Sequence, residues 1–277
     1  MGKSKIKTAI FITARLKSTR LPIKVIKPIL GRPMIEWMIE RLKKCDISPI
    51  VVMTSTNAQD DLLVDIAKKN KIKHFRGSEE DVLIRMRDCA RKFGPDLIIS
   101  VTADDPLKEP IFINKMADKY KREGFDFCEI EGLPNGCEAY AVSRNALEKI
   151  CEIKKDSDTE IWGNYFRKSG KFKCEVIKVD DPTIFRPHYR VTVDTPEDFE
   201  LVSKIFEILL TGEESRSEGL FFPSSRKTGF VKQYFNIYDI CKLLDERPDL
   251  VAINSHIEQK EAPKITLKNE SAKGGRR

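Results

Sequence analysis

The sequence predicts an α/β fold in which a mainly parallel sheet is flanked by helices. Short apolar runs alternate with segments of helical periodicity over the first two hundred residues. Strands that alternate with helices in this way form βαβ units, whose sheet is covered on both faces. The hydrophobic fraction of 40% in 277 residues is enough for the core of one large domain or two small ones.

The first four strands are predicted as nearly continuous apolar runs, which are typical of buried strands. They are expected at 8–14, 49–55, 72–75 and 96–103. The segments that follow them carry apolar residues three or four positions apart, as amphipathic helices do. These helices are expected at 33–45, 58–70, 79–93 and 111–122. In the second helix, the residues expected to face the core are Leu62, Leu63, Ile66 and Ala67.

The pattern becomes less regular after Gly124. Three short strands are predicted there, followed by a further strand and two helices. The strands are expected at 126–130, 138–142, 174–179 and 188–194. The helices are expected at 196–209 and 236–248. The region 125–190 is therefore predicted to be a looser part of the same domain.

Three segments follow from this pattern. Residues 1–211 are predicted to form the α/β domain, 212–259 a loop with a C-terminal helix, and 260–277 a disordered basic tail. The tail holds six Lys and Arg residues against two Glu residues. It therefore supplies more than half of the formal net charge of +7, and the rest of the chain is nearly balanced. A nucleic-acid partner is not expected.

Cysteine usage and hydropathy indicate the compartment. The seven cysteines include no C-x-x-C pair, which favours small buried thiols in a reducing compartment over a metal site or a disulfide framework. No segment approaches the roughly 18 apolar residues that span a membrane, and the first residues lack the apolar stretch of a signal peptide. A cytoplasmic protein without a membrane partner is expected.

A stretch of uncompensated positive charge follows the first predicted strand. It contains no acid, and its cations are Arg15, Lys17, Arg20, Lys24, Lys27 and Arg32. Ligands of a parallel sheet bind beyond the carboxyl ends of the strands, and Arg and Lys there can hold phosphate oxygens. The stretch matches neither a P-loop nor a dinucleotide-binding fingerprint. From the residues alone, a phosphate-binding loop and a solvated or nucleic-acid-facing loop both stay open.

Two aspartates, Asp104 and Asp194, follow predicted strands and are expected at this same edge of the sheet. One or two carboxylates, together with phosphate oxygens and water, are typical ligands of Mg²⁺, so a metal site is one interpretation. The other interpretation is structural, because Thr195 and Asp198 fit the start of a helix. Capping accounts for Thr195 and Asp198 and leaves Asp194 unexplained, but spacing does not decide between the two interpretations.

Four segments together resemble a known family. They are, in chain order, "TARLKSTRLPIK", "FRGSEEDVLIR", "VTADDPL" and "RVTVDTPEDFELV". Over residues 7–210 the chain resembles the cytidylyltransferase family that includes the CMP-sialic acid and CMP-Kdo synthetases, and within it the spore-coat polysaccharide branch. The resemblance implies a nucleotide-diphospho-sugar transferase fold, so that 1–211 is a nucleotidyltransferase domain. It also implies Mg²⁺-dependent transfer of CMP from CTP to a sugar acid or related small acceptor, with release of pyrophosphate. The reaction would serve surface-glycan biosynthesis. The protein would be a homodimer whose subunits contact each other through 125–190.

The resemblance also implies roles for individual residues. Those expected to bind the nucleotide are Ala14, Arg15, Ser18, Arg20, Lys24, Arg76 and Ser78. Those expected to be catalytic are Arg15, Lys24, Asp104 and Asp194, of which the two aspartates would hold Mg²⁺. Those expected near the acceptor are Glu138, Tyr140, Glu160 and Trp162. For Trp162, stacking on a sugar and closing a small core are both open.

The chain departs from the family pattern in several places. Lys17 and Ile23 stand where the first motif often has Gly, and the Ser-Gly-Thr-Asp-Arg motif of Kdo enzymes is absent. The acceptor region around Glu138 and Glu160 also differs from the sialic-acid type, so the acceptor is left open. Three other functions stay open. The protein could be a sugar-1-phosphate nucleotidylyltransferase that uses another nucleotide, or a GT-A-type glycosyltransferase that holds Mn²⁺ with Asp104 and Asp105. It could also be a catalytically idle nucleotide-binding module.

Overall fold

The computed structural model of the protein describes residues 6–18, 20–212, 232–259 and 264–268. Within these ranges, seven strands form one sheet in the order β5-β4-β1-β6-β8-β7-β9, and β2 and β3 form a small antiparallel pair. The strands are β1 (Thr8–Thr13), β2 (Pro28–Ile29), β3 (Arg32–Pro33), β4 (Ile50–Ser55), β5 (Lys73–Gly77), β6 (Leu97–Thr102), β7 (Phe127–Glu131), β8 (Tyr140–Ser143) and β9 (Cys174–Lys178).

The described helices connect these strands and cover the sheet. They are α1 (Met34–Leu42), α2 (Asp61–Lys69), α3 (Val82–Phe93), α4 (Pro110–Glu123), α5 (Arg144–Ile153), α6 (Asn164–Arg167), α7 (Pro196–Thr211), α8 (Ile237–Glu246) and α9 (Pro248–Ala252). Short 3₁₀ turns lie at Lys24–Ile26 and Ala58–Asp60. No described helix is long and apolar enough to cross a bilayer.

The centre of the sheet is parallel, as predicted. β1 pairs in parallel with β4 on one side and with β6 on the other, whereas β8 runs antiparallel to both β6 and β7. In the β1–β6 ladder Thr13 is the register partner of Thr102. The loops that start at Ala14 and Ala103 therefore leave the sheet side by side, and they bring the basic loop next to Asp104.

The core has one layer on each face of the sheet. Along β1, Ile10 and Ile12 pack into the layer that includes helices α1, α4 and α7, while Ala9 and Phe11 pack into the layer with α3 and α5. This alternation follows from the twofold side-chain periodicity of a strand. It explains why β1 reads as a continuous apolar run, and it confirms the predicted helix-covered α/β sheet.

The predicted strand at 188–194 is wrong. The segment is extended, but its only ladder contact within the described residues is an isolated bridge between Arg190 and Asn135. Val191 and Val193 are buried, and their N–H groups donate to the carbonyl oxygens of Asn135 and Asp104. The alternating apolar pattern therefore reflects burial of an extended segment rather than pairing in the sheet.

The structure corrects one helix prediction and shows a helix that was not predicted. Leu62 was expected in the core but is 53% exposed, because α2 turns Leu63, Val64 and Ala67 inward instead. Helix α5 was not predicted at all. Its signals are present, since Ser143 caps it by accepting from the Ala146 N–H and its buried residues recur at helical spacing.

The C-terminal part of the chain docks onto the α/β domain. Arg41, which is buried, donates to the Phe235 carbonyl at 2.8 Å, and the Glu109 carboxylate accepts from the Ile237 N–H at 2.9 Å. Farther along, the Lys155 N–H donates to the Thr266 carbonyl at 3.0 Å. Within the predicted segment 212–259, residues 213–231 lie outside the described residues, and so does the predicted tail except for 264–268.

Candidate functional site

A cavity of about 860 Å³ lies at the edge of the sheet where β1 and β6 end. Most of the residues singled out in the sequence line it. These are Ala14, Arg15, Ser18, Arg20, Lys24, Asp104, Glu138, Tyr140, Glu160, Trp162 and Asp194. The fold therefore brings the basic loop, both aspartates and the expected acceptor residues to one place.

Lys24 lies between the two aspartates. Its Nζ donates to Oδ2 of Asp104 at 2.9 Å and to Oδ1 of Asp194 at 2.8 Å. A second cation, Arg20, contacts the same oxygen of Asp194 at 3.0 Å. The two loops are joined at this point, because the Val193 N–H donates to the Asp104 carbonyl at 2.9 Å. Residues ninety positions apart thus face each other across one ammonium group.

The two carboxylates differ in their electrostatics. Burial, together with the charge of Asp105, raises the pKa of Asp104 even though Lys24 lies beside it. Burial also acts to raise the pKa of Asp194, but neighbouring cations, Lys24 foremost, hold it below its usual value. Burial would lower the pKa of Lys24, yet the two carboxylates outweigh it and that pKa is raised. The ammonium and Asp194 are therefore both charged at neutral pH.

The donor set fits a magnesium ion that arrives with phosphate groups. Asp104 and Asp194 offer carboxylate oxygens, the ligand type that Mg²⁺ prefers, and both line the cavity. The described residues contain no group of three or more His, Cys, Asp or Glu that could hold a metal by itself. The protein would therefore supply two ligands, and nucleotide oxygens and water would supply the others.

The backbone before Lys24 is strained. Ile23 has φ 52°, in the left-handed region, and its side chain is half exposed. A β-branched residue is unfavourable there, whereas Gly adopts this conformation readily. This is one of the two positions where the family resemblance leads one to expect Gly. The strained residue, Ile23, directly precedes Lys24 in the chain.

Ile23→Gly is expected to stabilise the protein. Relief of the left-handed strain is worth about 1 to 2 kcal/mol and exceeds the extra backbone entropy that Gly loses on folding, so the free energy of unfolding should rise by about 1 kcal/mol. Chemical denaturation measures this change. Ile111→Gly, at another half-exposed apolar residue whose φ is negative, is the matched control and should lose stability. A loss of stability in Ile23→Gly would contradict the strain.

A second buried ion pair lies behind Asp104. The Lys108 Nζ donates to the Asp105 carboxylate at 2.7 Å and to the Glu138 carbonyl. Burial is the main cause that raises the pKa of the Glu138 carboxyl, with Lys108 acting in the opposite direction. Lys108 was not predicted, and it lines the cavity together with Asp105. Its only sequence signal is its place three residues after Asp105.

Ion pairs join the basic loop to the expected acceptor side. Arg15 contacts Glu160 at 3.2 Å and Glu80 at 3.9 Å, and Lys17 contacts Glu79 at 3.1 Å. The two glutamates that contact Arg15 are about half exposed, so these pairs contribute little to stability. Exchange of these partners for other charged groups is therefore expected to cost little free energy.

Trp162 belongs to an aromatic cluster that also forms a wall of the cavity. Its ring packs edge-on against Phe127, Tyr140 and Phe166, with centroids 5.4 to 6.0 Å apart. It is buried, yet both Trp162 and Tyr140 line the cavity. Trp162 therefore packs in the core and also lines the cavity, and stacking on a sugar stays a prediction.

Arg76 and Ser78 are the expected nucleotide-binding residues that do not line the cavity. The Arg76 guanidinium donates to the carbonyl oxygens of Ser55 and Asn57 and pairs with Asp61. The Ser78 hydroxyl accepts from the backbone N–H of Asp81. These contacts join β4 and β5 and position the start of α3. A nucleotide role for the two residues stays a prediction.

Comparison with known proteins places this site in context. Residues 9–216 match the protein family described as Cytidylyltransferase. The chain is 31% identical over 204 residues to the spore coat polysaccharide biosynthesis protein SpsF of Bacillus subtilis strain 168, covering 71% of this chain and 85% of SpsF. It is 26% identical over 265 residues to the uncharacterized protein MJ1063 of Methanocaldococcus jannaschii, covering 90% of this chain and 95% of the other.

Solved structures share the fold. A cytidylyltransferase from Leptospira borgpetersenii superposes with a TM-score of 0.75 at 25% identity, covering 89% of this chain and 97% of the other. A CMP:2-keto-3-deoxy-manno-octonic acid synthetase, solved with CTP, superposes with a TM-score of 0.55 at 17% identity, covering 71% and 97%. The predicted nucleotide-diphospho-sugar transferase fold is thereby confirmed.

Proposed function

This chain belongs to the cytidylyltransferase family and is a nucleotidyltransferase, and we propose that it transfers CMP from CTP to a sugar acid or related small acceptor with release of pyrophosphate. The observation that carries the proposal is the group formed by Lys24, Asp104 and Asp194 in the cavity, with Arg20 beside it. Cations for a triphosphate and carboxylates for its metal ion meet there. Nucleotidyl transfer requires both.

The cations of the basic loop would hold the triphosphate. Arg15, Arg20 and Lys24 line the cavity, and each is paired with a carboxylate. Phosphate oxygens would pair with these cations in place of the carboxylates. Asp104 and Asp194 would then hold Mg²⁺, which when bound neutralises charge on the phosphates.

The acceptor would lie beside Tyr140, Glu138 and Trp162, which line the same cavity. An oxygen of the acceptor attacks the α-phosphorus, the bond from the α-phosphorus to the bridging oxygen breaks, and pyrophosphate leaves with that oxygen. If the attacking group is a hydroxyl, its proton passes to water. Positioning and charge stabilisation suffice for this step, so no covalent intermediate with the protein is needed.

The contacts of Asp105 disfavour the glycosyltransferase alternative. In that enzyme Asp104 and Asp105 would hold Mn²⁺ together. Here the Asp105 carboxylate accepts from the Lys108 ammonium at 2.7 Å and from the Thr102 hydroxyl at 2.7 Å. Both donors contact Oδ2, and Asp105 is buried. Asp194, which comes from a different part of the chain, is the better second ligand.

The test is pyrophosphate release with Mg²⁺ across four nucleoside triphosphates and a panel of sugar acids and sugar phosphates. We expect release with CTP and one class of acceptor, and its loss on addition of EDTA. Preference for another nucleotide with a sugar 1-phosphate would favour the sugar-1-phosphate alternative. No release with any pair would favour an idle nucleotide-binding module.

Several features implied by the family resemblance stay predictions of this proposal. They are a role in surface-glycan biosynthesis, a homodimer in contact through 125–190, and a cytoplasmic location. The membership of SpsF in the same set of relatives supports the first of them. Analytical ultracentrifugation of the full chain tests the dimer.

A further inference from the structure

We propose that Asn254 is a positioning residue for Asp194. It lies in the C-terminal part of the chain, beyond the family match at 9–216. The inference rests on the proposed function, since it takes Asp194 as a ligand of the metal ion. It makes the C-terminal segment 232–259 a working part of the site rather than an appendage.

The side chain of Asn254 is 2% exposed and points into the α/β domain. Its Nδ2 donates to Oδ1 of Asp198 at 2.8 Å and to the carbonyl oxygen of Arg190 at 3.0 Å. One amide group therefore joins the start of α7 to the extended segment that leads to Asp194. Both contacts cross more than fifty positions of sequence.

Asp198 connects Asn254 to Arg190 and to the backbone at Asp194. Its carboxylate, which is fully buried, accepts two hydrogen bonds from the Arg190 guanidinium, both at 2.9 Å. It also accepts from the backbone N–H groups of Asp194 at 2.9 Å and of Thr195 at 3.1 Å. The predicted helix start with Thr195 and Asp198 is confirmed as a capping box. Asp198 in addition fixes the backbone at Asp194 and the guanidinium beside it.

Arg190 completes the connection to the site. Its Nη2 donates to Oδ2 of Asp194 at 3.0 Å, while Oδ1 of Asp194 faces Lys24 and Arg20. One oxygen is thus held from behind and the other is presented to the cavity. The orientation of a metal-binding carboxylate depends on such outer contacts, which typically contribute 10- to 100-fold to metal affinity or activity.

The segment that carries Asn254 is itself held firmly. Arg41 and Glu109 bind the backbone of Phe235 and Ile237, and the Phe235 ring packs edge-on against Phe206 of α7 at 5.2 Å. Helices α8 and α9 both contact α7. Asn254 is therefore presented from a docked element, as a positioning residue has to be.

Asn254→Asp separates positioning from packing. Asp has nearly the same shape, but it replaces two N–H donors by an acceptor that faces the Asp198 carboxylate and the Arg190 carbonyl. Asn254→Ala removes both the volume and the donors, and it serves if the Asp variant does not fold. Asn70→Ala is the matched control, because Asn70 is also buried and donates to a backbone carbonyl at 2.9 Å. Thermal unfolding of the full chain checks the fold of each variant.

Two readouts are measured. Binding of Mn²⁺ in the presence of a non-hydrolysable CTP analogue is followed by electron paramagnetic resonance, and steady-state pyrophosphate release gives kcat and KM. We expect about tenfold weaker Mn²⁺ binding and about tenfold lower kcat in Asn254→Asp and Asn254→Ala, with the KM for the acceptor nearly unchanged. Asn70→Ala should lose stability only.

The outcomes distinguish the two proposals. If the wild type binds no Mn²⁺ with the analogue and releases no pyrophosphate, the proposed function fails. If the wild type does both and folded Asn254→Asp matches it, the positioning role is overturned while the function stands. If only Asn254→Ala is impaired, and its losses follow its melting temperature as in Asn70→Ala, Asn254 acts through packing alone and the inference is wrong.

Discussion

Asp194→Asn is expected to lower kcat by about 10² to 10³ while the protein remains folded. The substitution keeps the shape of the side chain but removes the negative charge that Lys24 and Arg20 contact directly. Removal of one preorganised electrostatic group commonly has an effect of about this size on catalysis. The start of α7 should persist, because its capping box uses Thr195 and Asp198.

The dependence on metal concentration tests the assigned role of Asp194. If metal binding is the main defect, excess Mg²⁺ should restore part of the activity. Asp104→Asn should behave alike, and the double variant should be far from additive because both residues act on one ion. Asp245→Asn is the control, since Asp245 pairs with Arg186 at 2.7 Å and does not line the cavity. Full activity of Asp194→Asn at low Mg²⁺ would show that Asp194 binds no metal ion and only precedes the N-cap of α7.

Lys24→Met is expected to lower kcat/KM for the nucleotide by about 10- to 100-fold. Methionine keeps an apolar stem of similar length, but the phosphates lose one charge-assisted contact, which is worth roughly 1.5 to 3 kcal/mol. The variant should also bind Mn²⁺ more tightly than the wild type when no nucleotide is present. The reason is that the ammonium no longer neutralises Asp104 and Asp194.

Lys27→Met is the matched control for this second prediction. It removes the same charge from the same loop, but Lys27 lies over the Phe199 ring at 5.1 Å and does not line the cavity. Steady-state kinetics and Mn²⁺ titration are compared for both variants. Equal losses in both would mean that general positive charge, rather than the position of Lys24, attracts the nucleotide.

The part of the site that follows the central strands could be predicted from the sequence. β1 and β6 read as apolar runs because both of their faces are buried, and the rule for parallel sheets then places Arg15 and Asp104 at one edge. Asp194 was correctly predicted at this edge of the sheet, but the prediction assumed that it ends a strand at 188–194, and that strand is absent from the described sheet. The alternation before it comes from the burial of Val191 and Val193, which a pattern cannot distinguish from a strand.

Arg190, Asn254 and Lys108 were not predicted from the sequence as residues of the site. Arg190 has two partners nearby in the sequence, Asp194 and Asp198, but it meets Asn254 only after the chain has folded. Lys108 is a buried cation whose carboxylate is nearby in sequence but whose role in the cavity depends on the position of Glu138. Local propensity and periodicity carry no information on which of these residues meet in the folded chain, although Arg190 opens the motif "RVTVDTPEDFELV".

The distance in sequence between Asp198 and Asn254 has a consequence for protein synthesis. These hydrogen-bonded residues are 56 positions apart, so at roughly 5 to 20 residues per second the ribosome adds Asn254 about 3 to 11 s after Asp198. During that interval the nascent chain already holds the basic loop and both aspartates, but Asp198 and Arg190 lack their amide partner. We expect the sheet of the growing polypeptide to form first. Full catalytic turnover is expected only after helices α8 and α9 and Asn254 have been synthesised.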